Sequence, residues 1–260
     1  MTPFRKSSTK RHRDFYPAEA AGLRWLADAG APVVKVLKVN RARIELEQLE
    51  EVRPTHAAAH ALGAALARMH DAGVDGAGFG CAPRGFNGQI FIGDRPMSSV
   101  EQPSWGRFYI EERVMPFLQI AVDEGSIQNQ QQLRVIEQAC ELVVLGAFDD
   151  PEPPSRIHGD LWTGNVMWTP RGAVLIDPAA HGGHRETDLA MLALFGCAHL
   201  SDVIRGYQEV HPLRPGWKQR VSLHQLHPLA VHAAGYGPSY GEALTRAALQ
   251  TIHLAYAQAG

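Results

Sequence analysis

The stretch His158-Gly159-Asp160-Leu161-Trp162-Thr163-Gly164-Asn165, followed after an apolar run by Ile176-Asp177-Pro178, constrains this chain more than any other part of it. An aspartate, an asparagine five residues on and a second aspartate beyond a strand converge only if a turn and a short hairpin fold them together. The local sequence supplies those parts. Arg156-Ile157 reads as a strand ending, Asn165 to Trp168 as a strand, and Thr169-Pro170-Arg171-Gly172 as a turn. Ala173 to Ile176 reads as a buried strand that delivers Asp177 at its end. In this composition H-G-D-x4-N arises by chance in about one such chain in a thousand, so mere turn-capping is the weaker account of Asp160 and Asp177. The spacing is the one phosphoryl transfer needs. Asp160 is the candidate catalytic base for an attacking hydroxyl, and Asn165 and Asp177 are the candidate ligands of Mg2+ bridging ATP phosphates. Magnesium favours hard oxygen donors and few protein carboxylates, which one Asp and one Asn provide. His158 is expected to brace the loop by hydrogen bonds.

At 260 residues the chain can bury a sizeable core, as one domain or two intimate lobes. A net charge of −2 exerts no overall pull toward nucleic acid or an anionic membrane. The early basic residues Arg5, Lys6, Lys10, Arg11 and Arg13 lack the interleaved aromatics on which bases stack, so no nucleic-acid partner is expected. Cys81, Cys140 and Cys197 are widely spaced and form no CxxC pair, which suits reduced thiols in a cytoplasmic protein. No apolar run approaches the roughly 18 residues of a membrane span, and no secretory h-region follows the charged start. A monomer without a membrane partner is expected.

Residues 14 to 30 read as a helix, with Pro17 in its first turn and Gly30 ending it. Val33 to Val39 and Ile44 to Leu49 alternate as strands. Thr55 suits the cap of a helix whose stripe is Ala58, Leu62, Leu66 and Met69. Gly73 to Gly93 lacks periodicity and reads as a long loop. Helices are expected over Trp105 to Ala121, Gln130 to Phe148, Asp188 to Leu200 and Ser201 to Glu209, with a proline-rich connector over Asp149 to Ser155. The expected class is α+β. A small lobe spans residues 1–53 on the nucleotide side, and a mostly helical lobe spans 54–260 with the catalytic loop and substrate site.

H-G-D-L-W-T-G-N-V, V-L-I-D-P-A-A and G-G-H-R-E-T-D-L-A-M-L-A-L-F-G resemble the fructosamine kinase (ketosamine-3-kinase) family, within the aminoglycoside phosphotransferase and protein-kinase-like group. Ser104 to Arg113, Tyr207 to Trp217, Leu223 to Leu229 and the segment ending at Tyr240 are also similar, so the resemblance covers most of residues 19–240. Leu161-Trp162 is the part that separates this family from antibiotic kinases.

The resemblance implies a protein-kinase-like bilobal fold with a truncated N-terminal lobe. It implies ATP- and Mg2+-dependent phosphorylation of a sugar hydroxyl on fructosamine or ribulosamine adducts, small or protein-bound. Breakdown of the phosphorylated adduct would release the amine, a protein deglycation and repair activity. It places a hinge at Glu47, Gln48 and Leu49, where backbone meets adenine. It makes Lys6 and Glu19 the ion pair that positions phosphates, with Arg5 as the register alternative, and Arg185 and Asp188 the brace of the metal loop. Trp162, His181, Trp217 and Tyr240 become substrate candidates.

The family carries a strand-loop-strand over the phosphates ahead of that lysine, and only five residues precede Lys6 here. Weaker or different ATP binding is therefore expected. Pro96-Met97-Ser98-Ser99 also departs from the family's polar residues, which leaves the sugar open. The alternatives are a phosphotransferase for an aminoglycoside- or choline-like amine, and a catalytically silent kinase-like binding protein.

Overall fold

Alternation along Arg43–Leu46 buries Ile44 and Leu46 and leaves Arg43 and Glu45 partly exposed. This strand, β3, is the centre of a three-stranded antiparallel sheet. Its neighbours are β1 (Phe4–Ser7), with Lys6 opposite Ile44, and β2 (Val36–Val39). Helix α1 (Phe15–Asp28) lays Tyr16, Ala20 and Leu23 on the sheet, where Val34 and Val174 complete a buried cluster. Each large apolar side chain so buried contributes about 1.5–3 kcal/mol. Helix α2 (His56–Asp71) starts at Thr55, whose hydroxyl accepts the Ala58 N–H at 3.2 Å.

The computed structural model describes residues 3 to 259. The chain forms two compact units, Met1–Ser99 with Pro153–Leu213, and Val100–Glu152 with Arg214–Gly260. Residue 53, where the sequence suggests a lobe boundary, lies inside the first unit.

The stretch 73–93, read from sequence as one long loop, ends in a hairpin of β4 (Ile90–Ile92) and β5 (Arg95–Met97). Three-residue strands carry too little alternation to register. Their pairing is held by the Gln89 amide, which donates to the carbonyls of Ile90 and Met97, and by Gly93 at φ 52° in the turn.

The second unit begins with α3 (Trp105–Phe108), a π-helical turn over Tyr109–Val114 and α4 (Met115–Asp123), a nearly unbroken helical run. Helix α5 (Gln130–Val144) stops short of Phe148, with Gly146 left-handed at φ 86°. From Pro153 the chain returns to the first unit. Strand β6 (Ser155–Ile157) pairs with β9 (His181–Gly183), and β7 (Val166–Thr169) with β8 (Gly172–Leu175).

Helix α6 (Arg185–Leu194) starts three residues before the expected Asp188, because the His184 ring accepts the Glu186 N–H at 3.1 Å. It ends before Gly196, at φ 74°, and α7 (Leu200–Val210) follows. Helices α8 (Trp217–His224), α9 (Leu226–Tyr236) and α10 (Pro238–Ala259) complete the second unit. There the His227 ring, kept neutral by burial that pushes its pKa down to about 3, donates to the Arg113 carbonyl in the π-helical turn at 3.0 Å. Among the described residues no helix is long and apolar enough to cross a membrane.

Helices α2 and α7 touch through glycine. A Cβ on Gly63 would overlap the Val203 carbonyl, and one on Gly206 would overlap the His60 carbonyl. Gly63→Ala should therefore destabilise the fold by about 1–3 kcal/mol in urea unfolding, as overpacking does. A change under about 0.5 kcal/mol would mean the helices separate freely and would refute this account.

Candidate active site

The loop that follows β6 is built around one buried carboxylate. Asp188, in the first turn of α6 and 1% exposed, accepts the N–H of His158 at 2.7 Å and of Gly159 at 2.9 Å. Its Oδ2 also meets His70 Nε2 at 3.2 Å, and His70 Nδ1 meets the Tyr207 hydroxyl at 2.7 Å. Burial raises the carboxyl pKa, yet the hydrogen bond and charge of His70 and the contacts to His158 hold it below its ordinary value. Gly159 is left-handed at φ 77°, and a Cβ there would overlap the Ala179 carbonyl, so the motif's glycine is required twice over.

His158 is fully buried, and burial lowers its pKa. The neutral ring donates from Nε2 to the Ile176 carbonyl at 2.9 Å, and its Nδ1 accepts the Asp160 N–H at 3.3 Å. From the sequence His158 is expected to brace the loop, and these are the hydrogen bonds its ring makes. They tie the loop to the strand end that carries Asp177.

A short 3-10 turn, Thr163–Asn165, returns the chain to Asp160. The Asn165 amide donates to the Asp160 carbonyl at 2.8 Å and to its carboxylate at 3.1 Å. The Ile176 N–H donates to the Asn165 carbonyl at 3.1 Å, which brings Asp177 beside the pair. Asp177 is left-handed at φ 51°. Burial pushes the Asp160 carboxyl up to about 6, the Asn165 amide opposes it, and the charges of Asp177 and Asp188 push further.

Lys6 and Glu19, suggested as a pair, lie 2.9 Å apart, and Lys6 Nζ also contacts Asp177 Oδ1. Strand alternation turns Arg5 outward onto Glu45 at 3.3 Å, so Lys6 is the residue in register. Gly22 lets α1 pack against Pro178 and Ala180. Glu19 is driven up to about 7 by burial, against the pull of Lys6. The Lys6 ammonium is raised as well, because Glu19 and Asp177 outweigh its own burial.

A cavity of about 170 Å³ opens beside these groups, lined by Val34, Leu46, Leu49, Met167 and Ile176 with Lys6 and Asp177 at its polar end. Glu47, Gln48 and Leu49, the expected hinge, form part of its wall. The Glu47 side chain has a separate task. It takes the Lys35 N–H at 2.8 Å and pairs with Arg171, which holds its carboxyl below the usual range.

Trp162 is 38% exposed, lies edge-on to Phe195 at 6.1 Å and covers Gly164. His181 is buried, with Nδ1 donating to the Ala179 carbonyl at 2.7 Å, beside Gly159. Trp217 and Tyr240 belong to the second unit, on α8 and α10, where Tyr240 packs on His232 with ring centroids 5.0 Å apart. Arg185 donates to the Pro212 carbonyl at 3.1 Å. Asp188 braces the loop together with His70 and Tyr207, which were not among the sequence candidates, and Arg185 hydrogen-bonds that Tyr207 and lies 6.0 Å over its ring. A separation of 118 positions between His70 and Asp188 leaves no local signal for that contact.

A family model described as fructosamine kinase matches residues 2–253. A crystal structure from Thermobifida fusca YX-ER1, provisionally named a fructosamine-3-kinase, is similar at 42% identity and a TM-score of 0.89, over 96% of this chain and 85% of that one. A protein of Enterococcus faecium provisionally named a ketoamine kinase is 30% identical over 232 residues, 88% of this chain and 80% of its own length. The fold alone is shared with an aminoglycoside phosphotransferase, APH(4)-Ia, at a TM-score of 0.56 and 18% identity, over 94% of this chain and 83% of that one. With the motif, the paired lysine and glutamate and the α+β kinase-like fold all in agreement, the chain belongs to the fructosamine kinase family.

Proposed function

We propose that this phosphotransferase moves the γ-phosphoryl group of ATP to a sugar hydroxyl of a ketosamine, in the chemistry of protein deglycation and repair. The observation that carries the reading is the convergence of Asp160 and Asn165 with Asp177, Lys6 and Glu19, of which Lys6 and Asp177 line a largely apolar cavity. Adenine would enter that cavity between Val34, Leu46 and Met167, against the backbone of Glu47 to Leu49. Lys6, held by Glu19, would position the phosphates.

Asn165 and Asp177 offer hard oxygen donors, a set that suits Mg2+. The ion would neutralise charge on the transferring phosphoryl group. Asp160 would take the proton of the attacking hydroxyl, and its raised pKa makes it a better proton acceptor than an ordinary aspartate. Asn165 holds its carboxylate in place. The exposed Trp162 face, beside Asp160, would cover the sugar. Ketoamine, fructosamine and ketosamine are the substrates in the names of the relatives, and the Leu161-Trp162 that follows Asp160 is part of the motif that resembles this family.

The reading is tested by ATP turnover with Mg2+, with and without a fructosamine or ribulosamine, beside Asp160→Asn. Substrate-dependent turnover should fall by about 10²–10⁴-fold in the variant. In the wild type kcat/KM should fall as pH drops through about 6, where Asp160 gains its proton. Turnover indifferent to Asp160→Asn would remove the base. No turnover together with no ATP-induced thermal shift would mean a silent binding protein.

Trp162→Ala should raise KM for the ketosamine by roughly tenfold, the worth of an aromatic contact, and leave KM for ATP unchanged. Equal changes in both would rule out a role confined to the sugar.

Asp160 also has a stability consequence. Its pKa stands at about 6 against an ordinary 3.8, so the fold prefers the neutral form. The resulting stabilisation is complete below the lower value and is lost as pH rises through the higher one. At pH 8 Asp160→Asn should therefore stabilise the fold, on the order of 2 kcal/mol, while it destroys activity. A lower melting temperature for the variant at that pH would contradict this.

A further inference from the structure

Away from the catalytic loop, the N-terminal ends of α2 and α7 bring together two imidazoles and a carboxylate. His56 is the first residue of α2, His199 immediately precedes α7, and Asp202 lies in the first turn of α7. His56 Nδ1 stands 2.6 Å from Asp202 Oδ2, and the rings of His56 and His199 lie 3.9 Å apart, centroid to centroid. One donor atom from each of the three falls within 4.8 Å of the others.

We propose that His56, His199 and Asp202 form a site for a borderline-soft divalent cation of the Zn2+ class, clamping α2 to α7. Two imidazole nitrogens and one carboxylate oxygen are a three-ligand set such an ion accepts, with water in the fourth position. Nitrogen donors select Zn2+ over Mg2+, so the site is chemically distinct from the oxygen donors of Asn165 and Asp177. Ligands about 2 Å from a tetrahedral ion stand about 3.3 Å apart. The exposed His56 side chain can close the remaining gap by rotation.

The backbone behind the ligands is already rigid. Gly63 and Gly206 let the two helices meet backbone to backbone, so the spacing of the ligand-bearing ends is set by close packing. His199 is one of two non-glycine residues with positive φ among the described residues, at 55°, the other being Asp177 in the active site. That conformation is uncommon for a non-glycine residue, although histidine is among those that adopt it most readily, and the His199 ring lies against His56. Arg205 pairs with Asp202 Oδ1 at 2.5 Å, which orients the carboxylate and leaves Oδ2 toward His56. The nearest further acid–imidazole pair, His60 with Glu209 at 2.9 Å, lies next along the same two helices. The positive N-terminal dipoles of α2 and α7 oppose a cation, and the Asp202 carboxylate offsets them.

The test is calorimetric titration of the full chain with ZnCl2, after chelator treatment and in millimolar Mg2+. The expected result is one Zn2+ per chain and a higher melting temperature with the metal. His56→Ala and His199→Asn should each weaken binding by at least the roughly 10- to 100-fold that loss of a mere outer-shell partner costs. Asparagine is chosen at 199 because it tolerates left-handed backbone, so the variant keeps its fold and its metal-free melting temperature should match the wild type. Co2+ in place of Zn2+ should give visible d–d absorption that both variants lose. Absence of binding, wild-type affinity in the double variant, or loss of binding in Asp177→Asn alone would overturn the proposal.

Discussion

The catalytic loop depends on the Asp188 carboxylate more than on any other group. A charge removed from water is costly, and here it is met by the N–H groups of His158 and Gly159 and by His70. These contacts fix the backbone immediately before Asp160. His158 passes the constraint on by bridging to the Ile176 carbonyl, next to Asp177. One buried acid on α6 thus holds both ends of the hairpin that bears the candidate catalytic and metal-binding side chains. Tyr207 on α7 and His70 on α2 hold that acid in turn, so the helices behind the loop set its geometry.

In front of the loop the charges are out of balance. Asp160, Asp177, Glu19 and Lys6 share a small volume, and only one of them is a cation. Burial pushes Glu19 and Asp160 toward their neutral forms, and the Lys6 ammonium holds its proton more tightly. A site arranged this way is suited to a divalent cation and a polyphosphate together, since each would neutralise what the other brings. The apolar wall of Val34, Leu46, Met167 and Ile176 gives the same cavity a face for a flat ring. A charged end and an apolar end in one cavity are what a nucleotide presents in reverse.

The parts of the site legible in the sequence were those held by short-range geometry. Asp160 and Asn165 are five residues apart, and one turn joins them. Asp177 follows a hairpin with its own turn residues, Pro170 and Gly172. The Lys6–Glu19 pair followed from the resemblance with Arg5 left as the register alternative, and the structure turns Arg5 to Glu45 and Lys6 to Glu19. The hairpin over residues 90–97 escaped notice because its strands are too short to show alternation. His70 and Tyr207 escaped because each looks like an ordinary helix residue until the fold brings Asp188 to them.

Sequence alone pointed to the family and supplied the candidate reacting groups, because a motif of fixed spacing is a local property. Tertiary structure decided which acid braces the loop, that Lys6 reaches Asp177 across 171 positions, and that two histidines and an aspartate meet at the ends of α2 and α7. Those outcomes depend on the close approach of helices and strands distant in the chain. Such approach is set by packing, by glycines such as Gly63, Gly206 and Gly22 at points of contact, and by the demand that every buried charge find its partners.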